Sequence, residues 1–105
     1  MGISELVSGI VSKIVDACRP DKVIVFGSYI TSSDQEPNDL DILVVMPSQL
    51  PRHKRAVPIR RLFRPAPCAM DILVYTPEEV AMWLGTANHI VTEAFENGEV
   101  VYEKE

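Results

Sequence analysis

Three short apolar runs constrain the fold of this chain more than any other feature. Residues 23–26, 40–46 and 69–75 are nearly continuous hydrophobic stretches, and Gly27 and Pro47 close the first two. An apolar run of this length without alternation is typical of a β-strand that is covered on both faces. The sequence therefore predicts a sheet with helices packed against it.

Two amphipathic stretches supply those helices. Apolar residues recur at helical spacing over residues 6–15, with Ser4 as the cap. A second stripe starts at Thr76, where a cap, a proline and two acids mark a helix start, and it runs to Phe95 as one helix kinked at Gly85.

Shorter elements complete the prediction. Residues 29–38 are predicted to be a weak helical turn and a loop, and residues 50–64 are predicted to be partly helical, with Pro58 breaking or starting the helix. Residues 100–102 add a short last strand. With 105 residues, the chain is predicted to form one domain, residues 1–105.

The charge balance restricts the partners. A net charge of -5 and a pI near 5.0 argue against broad nucleic-acid binding, which needs many Lys and Arg contacts to phosphate. No stretch approaches the roughly 20 apolar residues of a membrane span, and no basic leader precedes one, so the cytoplasm is the expected compartment. The sequence leaves the oligomeric state open, a homo-oligomer included.

Some side chains have alternative interpretations. His53 and His89 have no ligand-like spacing and are predicted to be surface residues. Trp83 and Phe95 are predicted to lie in the core, or part of their stripe docks a partner helix. Six of the ten basic residues lie in residues 52–64, either as a solvated helix face or as a patch for an acceptor, a partner or a nucleotide.

Polar residues stand at the ends of the predicted strands. Gly27 and Ser28 follow the first strand, Asp39 and Asp41 begin the second, and Asp71 begins the third. If these residues meet at one edge, the first strand runs opposite to the other two. The second and third strands are then parallel and joined by a right-handed crossover, which makes the sheet mixed.

Such a cluster of acids has a specific chemistry. Three carboxylates repel one another when close together, so they imply compensating cations, and Mg²⁺ prefers oxygen ligands shared with substrate phosphates. Asp39 and Asp41 are predicted to bridge two ions, with Asp71 on the ion that activates an incoming hydroxyl. The turn at Gly27 and Ser28 supplies N–H donors and a hydroxyl for a triphosphate.

At these residues the chain resembles the nucleotidyltransferase superfamily of DNA polymerase beta type, specifically its minimal single-domain members. The pattern of that family is Gly-Ser, ten residues, Asp-x-Asp and a later Asp, and here it reads GSYITSSDQEPNDLD followed by MDILVY. The segments VIVFGS, TPEEV and NGEVVYE resemble the family as well. The resemblance implies an α/β (α+β) fold, a small mixed sheet with helices packed against it.

The resemblance also implies a function. It implies Mg²⁺-dependent transfer of a nucleoside monophosphate, from ATP, to a hydroxyl with release of pyrophosphate. It assigns nucleotide phosphate contacts to Gly27 and Ser28, and the catalytic and metal-binding acids to Asp39, Asp41 and Asp71. Minimal members are often paired with a small helical HEPN protein, commonly as antitoxin to toxin, and some adenylylate a tyrosine of that partner.

The chain departs from the family pattern at one point. Family members often continue Gly-Ser-x-Ala-Arg-Gly, whereas Ile30, Thr31 and Ser32 stand here, and Arg60 or Arg61 is a candidate replacement for the arginine. The alternative function is therefore a weak or inactive antitoxin, a binding module that neutralises a partner by covering it. A sugar transferase that uses its DxD motif is disfavoured, because 105 residues leave little room for an acceptor domain.

Overall fold

The computed structural model of the chain describes residues 5–27 and 40–105. The predicted cap at Ser4 and the predicted loop over residues 29–38 lie outside them. The described elements, in chain order, are α1 (Glu5–Cys18), β1 (Lys22–Phe26), β2 (Leu40–Val45), α2 (Arg52–Arg55), α3 (Val57–Arg60), β3 (Met70–Tyr75), α4 (Pro77–Trp83), α5 (Ile90–Asn97) and β4 (Glu99–Glu103).

The four strands form one mixed sheet in the order β3-β2-β1-β4. β1 is antiparallel to both β2 and β4, whereas β2 and β3 are parallel. The predicted fold class is confirmed, and so are the predicted directions of the first three strands.

The sheet is covered on both faces, which explains the unbroken apolar runs. Alternate strand residues point to opposite faces. On one face the strands pack against α1 and α3, and on the other against α5. The α1 side buries Val7, Ile10, Val11, Ile14, Val23, Val25, Ile42, Val44, Ile59, Ile72 and Val74, and the α5 side buries Ile24, Phe26, Leu43, Val45, Tyr75, Val91 and Ala94.

The crossover between β2 and β3 contains two short helices. α2 and α3 are separated by Ala56, and Pro58 stands in the first turn of α3, where its missing N–H costs nothing. The expectation that Pro58 breaks or starts a helix is confirmed.

The prediction of a single kinked helix after β3 is wrong, because the structure has two helices there, α4 and α5. The helix start is confirmed, since Thr76 and Glu79 form a reciprocal capping box. The chain leaves helical geometry at Leu84, and Gly85 has a φ of +95°. The Thr92 hydroxyl accepts from Gly85 N–H and donates to the Trp83 carbonyl, so it satisfies main-chain groups at the break.

His89 is not a simple surface residue, in contrast to His53. Its ring is half-buried and stacks on Trp83 with centroids 4.5 Å apart. Its Nδ1 accepts from Val91 N–H and so caps α5. Trp83 and Phe95 are half-buried at the margin of the core. None of the helices in the described part of the chain has the length and apolar character to cross a membrane.

Candidate active site

Two of the predicted site acids lie side by side. Asp41 on β2 and Asp71 on β3 are direct partners in the parallel register, and neighbouring strands lie about 4.8 Å apart. Both residues have the same position in the pleat as Leu43 and Leu73, so both carboxylates project from the α5 face of the sheet. Asp71 is exposed and Asp41 is half-exposed, which leaves both carboxylates accessible to solvent.

The turn after β1 meets these acids. Phe26 is paired with Asp41, so the antiparallel register carries Gly27 directly to the Asp41 side chain. A Cβ on Gly27 would contact the Asp41 carboxylate, with Cγ only 2.9 Å away, and the φ of Gly27 is +91°. Only glycine satisfies both conditions, the left-handed backbone and the close approach.

Ser28 and Asp39 lie outside the described residues. Among residues 5–27 and 40–105, no three acid, histidine or cysteine side chains are grouped closely enough to bind a metal. The described part of the site therefore offers the pair Asp41 and Asp71. Two carboxylates on a shared face fit Mg²⁺, which commonly takes one or two carboxylates from the protein and completes its shell with phosphate and water.

A partly buried ion pair supports the strand that carries Asp71. Arg55 on α2 binds Glu79 on α4 through two hydrogen bonds of 2.7 and 3.2 Å, and it also donates to the carbonyls of Val74 and Leu50. The hydrogen bonds from Arg55 are the main cause that lowers the pKa of Glu79 from 4.5 to about 2. This pair joins the crossover, β3 and α4 into one unit.

The sequence does not predict the contact between Arg55 and Glu79, although it predicts part of the role of each residue. The capping pattern predicts Glu79 as a helix-start residue, and the basic segment includes Arg55 as one cation among six. The two residues are 24 positions apart, so their contact depends on tertiary packing that no local pattern contains. The suggestion that Arg60 or Arg61 replaces the family's arginine stays a prediction; Arg60 lines a cleft along β3 whose lining includes neither Gly27 nor the candidate acids.

Comparison with known proteins identifies the family. The family model described as nucleotidyltransferase domain matches residues 6–103, which include Gly27, Asp41 and Asp71. No curated protein and no solved structure gave a significant match. The match spans the chain from α1 to β4, and so covers the whole sheet.

Proposed function

The chain belongs to the nucleotidyltransferase domain family, and from that membership we propose that it transfers AMP from ATP to a hydroxyl acceptor in a Mg²⁺-dependent reaction. The observation that carries this proposal is the direct pairing of Asp41 with Asp71 beside Gly27. Like charges placed opposite each other on neighbouring strands are destabilising, and a bound cation would offset the repulsion between these two carboxylates.

The proposed reaction divides its tasks among the site residues. The acceptor oxygen forms a bond to the α-phosphorus, the bond to pyrophosphate breaks, and the hydroxyl proton is released. Asp41 and Asp71, with Asp39, hold Mg²⁺, which when bound neutralises the triphosphate and aligns its oxygens. Gly27 allows close approach of phosphate oxygens, and Ser28 contributes a hydroxyl and a main-chain N–H.

The acceptor in this proposal is a protein side chain. Met82 and Leu84, at the end of α4, are 68% and 47% exposed, which is unusual for large apolar residues that lie so close together. We propose that a small helical protein of HEPN type covers this surface and presents a tyrosine hydroxyl. The same surface, together with Thr31 in place of the family's arginine, favours a second candidate function, an antitoxin that neutralises its partner by association alone.

The test is transfer of AMP to such a partner. The purified chain is incubated with Mg²⁺, ATP and the protein encoded beside it, and intact mass reports AMP adducts on either protein. We expect an adduct on the partner with the wild type, none with Asp41→Asn, and an unchanged adduct with the control Asp16→Asn on the exposed face of α1. Labelling that survives Asp41→Asn rejects the proposal. Neutralisation of the partner with no adduct supports the binding module instead.

A further inference from the structure

The charges of this chain are strongly segregated. No acid occurs between Asp41 and Asp71, whereas six of the ten basic residues stand in residues 52–64. All fifteen acids lie outside this interval. An acidic protein with one concentrated basic segment has a local surface that attracts anionic groups although the net charge is -5.

A cleft runs beside that basic segment. α2 and α3 lie along the outer side of β3 and leave a space of about 410 Å³ between helices and strand. We name this space the edge cleft. The helices α2 and α3 contribute its basic side chains, Arg52, His53 and Arg60. The strand β3 contributes most of its apolar floor, with Ile72, Leu73 and Val74.

The strand side of the edge cleft is the outer edge of the sheet. β3 is the last strand in the order, and no other described strand pairs with its outer side. Met46 N–H donates to the Tyr75 carbonyl, so residues 71, 73 and 75 direct their main-chain groups toward β2. Ile72 and Val74 therefore direct theirs outward, and the Val74 carbonyl is bound by Arg55. Ile72 and Val74 are only 2% and 3% exposed, so an approaching segment meets the side chains of the cleft rather than these main-chain groups.

The basic side chains of the edge cleft are available for a ligand. Arg55 is occupied by Glu79, but Arg52 and Arg60 are exposed and form no ion pair with a described carboxylate within 4.0 Å. Arg52 lies over the Tyr75 ring, 5.1 Å from its centre. Lys54 and Arg61 are also exposed, yet they do not line the cleft.

The lining favours a peptide over a nucleic-acid strand. Single-stranded nucleic acids bind through stacking on exposed aromatic rings. Tyr75 in this cleft is only 5% exposed and is contacted by Arg52 and His89, which leaves the His53 imidazole as a single exposed ring where a strand stacks successive bases. The accessible apolar part of the lining is instead aliphatic and includes Val57 of α3, which is 38% exposed and suits apolar side chains of a peptide.

We propose that the edge cleft binds an extended acidic segment of a protein. Carboxylates of the segment pair with Arg52 and Arg60, and its apolar side chains lie against Val57 and Leu73. Asp71 immediately precedes Ile72 on the same strand, so the bound segment leads a protein acceptor toward the site acids. This last step rests on the proposed function, whereas the binding itself does not.

The test is peptide binding measured without nucleotide or Mg²⁺. A short fluorescent peptide of alternating glutamate and valine is titrated with the chain and its polarisation recorded, with a lysine-valine peptide and an oligouridine strand as competing probes. We expect the acidic peptide to bind best and to weaken as salt is raised. The double variant Arg52→Glu and Arg60→Glu should lose roughly tenfold or more in affinity.

The matched control carries the same charge change on α2 and on the residue that follows α3. Lys54→Glu with Arg61→Glu should keep most of the affinity, because neither residue lines the edge cleft. If the Arg52→Glu and Arg60→Glu variant unfolds at a lower temperature than the wild type, the single variant Arg60→Glu replaces it in the binding measurement. Asp41→Asn should bind the peptide normally, so loss of AMP transfer and loss of peptide binding are separate outcomes. The proposal is overturned if the peptide does not bind, if oligouridine binds more tightly, or if both double variants lose affinity equally. A dimer in light scattering that the Arg52→Glu and Arg60→Glu variant breaks would assign the cleft to a second copy instead, and would also overturn it.

Discussion

Two glycines show how much a single residue's surroundings matter. Gly27 and Gly85 have nearly the same left-handed backbone, with φ values of +91° and +95°. A Cβ on Gly85 would meet nothing within 4 Å, whereas a Cβ on Gly27 would collide with the Asp41 carboxylate. The two positions therefore separate the cost of an unfavourable backbone from the cost of displacing a site acid.

Alanine at each glycine should measure these two costs. We expect Gly85→Ala to lower the free energy of unfolding by about 1–2 kcal/mol, the usual penalty for a side chain in this conformation. Gly27→Ala should lose more, because Asp41 must also move. Urea unfolding checks the stability, and thermal shift by Mg²⁺ and ATP checks the site. The shift should vanish only for Gly27→Ala, and equal behaviour of the two variants would contradict this assignment.

The positions of the candidate site residues were predictable where these residues belong to the ends of strands. Asp41 and Asp71 each stand next to an apolar run, so the pattern that identifies the strands also fixes the face on which the acids lie. The contact of Arg55 with Glu79 could not be found in this way, since it depends on how α2 packs beside α4.

At the scale of elements, one carboxylate joins a helix start to the crossover. Glu79 Oε1 accepts from Thr76 N–H at 3.0 Å and from Arg55 at 2.7 Å, so it serves both the capping box and the ion pair. The Arg55 side chain is only 9% exposed, and a charge buried to this degree needs its partner. The pair therefore fixes α2 and α4 relative to β3.

The ion pair predicts a specific acid sensitivity. The pKa of folded Glu79 lies at about 2, below its usual 4.5, so its stabilising effect is complete above about pH 4.5 and is lost as pH falls toward 2. This pKa shift sets an upper limit of about 3 kcal/mol on the contribution of ionised Glu79 to the free energy of unfolding. Urea unfolding should show Glu79→Gln well below the wild type at pH 6, with a smaller difference at pH 3.

A surface pair gives the control for this prediction. Glu103 lies 3.4 Å from Lys22 with its side chain 63% exposed, so Glu103→Gln should change stability little at either pH. A constant gap between the wild type and Glu79→Gln across this pH range would contradict the role given to Arg55.

Periodicity predicted these elements well but missed the break between α4 and α5. Val80 and Trp83 of α4 pack on the same core as Val91 and Ala94 of α5, so helical spacing continues through both. The change of direction at Leu84 and Gly85 depends on backbone angles, to which hydrophobic periodicity is insensitive.

At the scale of the whole molecule, core and site share one register. The pairing that buries Ile42 against Ile72 also places Asp41 beside Asp71, one residue earlier on each strand. A slip of one residue would expose the core and separate the acids together. This coupling is why the apolar pattern predicted most of the fold and the shared position of two candidate acids, whereas the edge cleft depends on how the crossover helices pack against β3.

From the two like charges of the candidate site we predict that removing one carboxylate raises the stability of the free chain and lowers its stabilisation by ligand. Asp71→Asn removes one of two acids that face each other across the strands, so in EDTA the variant should be as stable as the wild type or up to about 1 kcal/mol more stable. With Mg²⁺ and ATP the order should reverse. A ligand at one hundred times its Kd stabilises the folded state by about 2.7 kcal/mol, and the variant should gain little of this.

Thermal unfolding with and without Mg²⁺ and ATP measures both halves of this trade in one experiment. The wild type should gain roughly 10 °C, since 1 kcal/mol corresponds to about 4 °C or more in a domain of this size. ATP in EDTA is the control, because the triphosphate then lacks the cation that lets two carboxylates approach it. A wild type that gains nothing, or an Asp71→Asn variant that gains as much, would show that the paired acids do not bind the metal nucleotide.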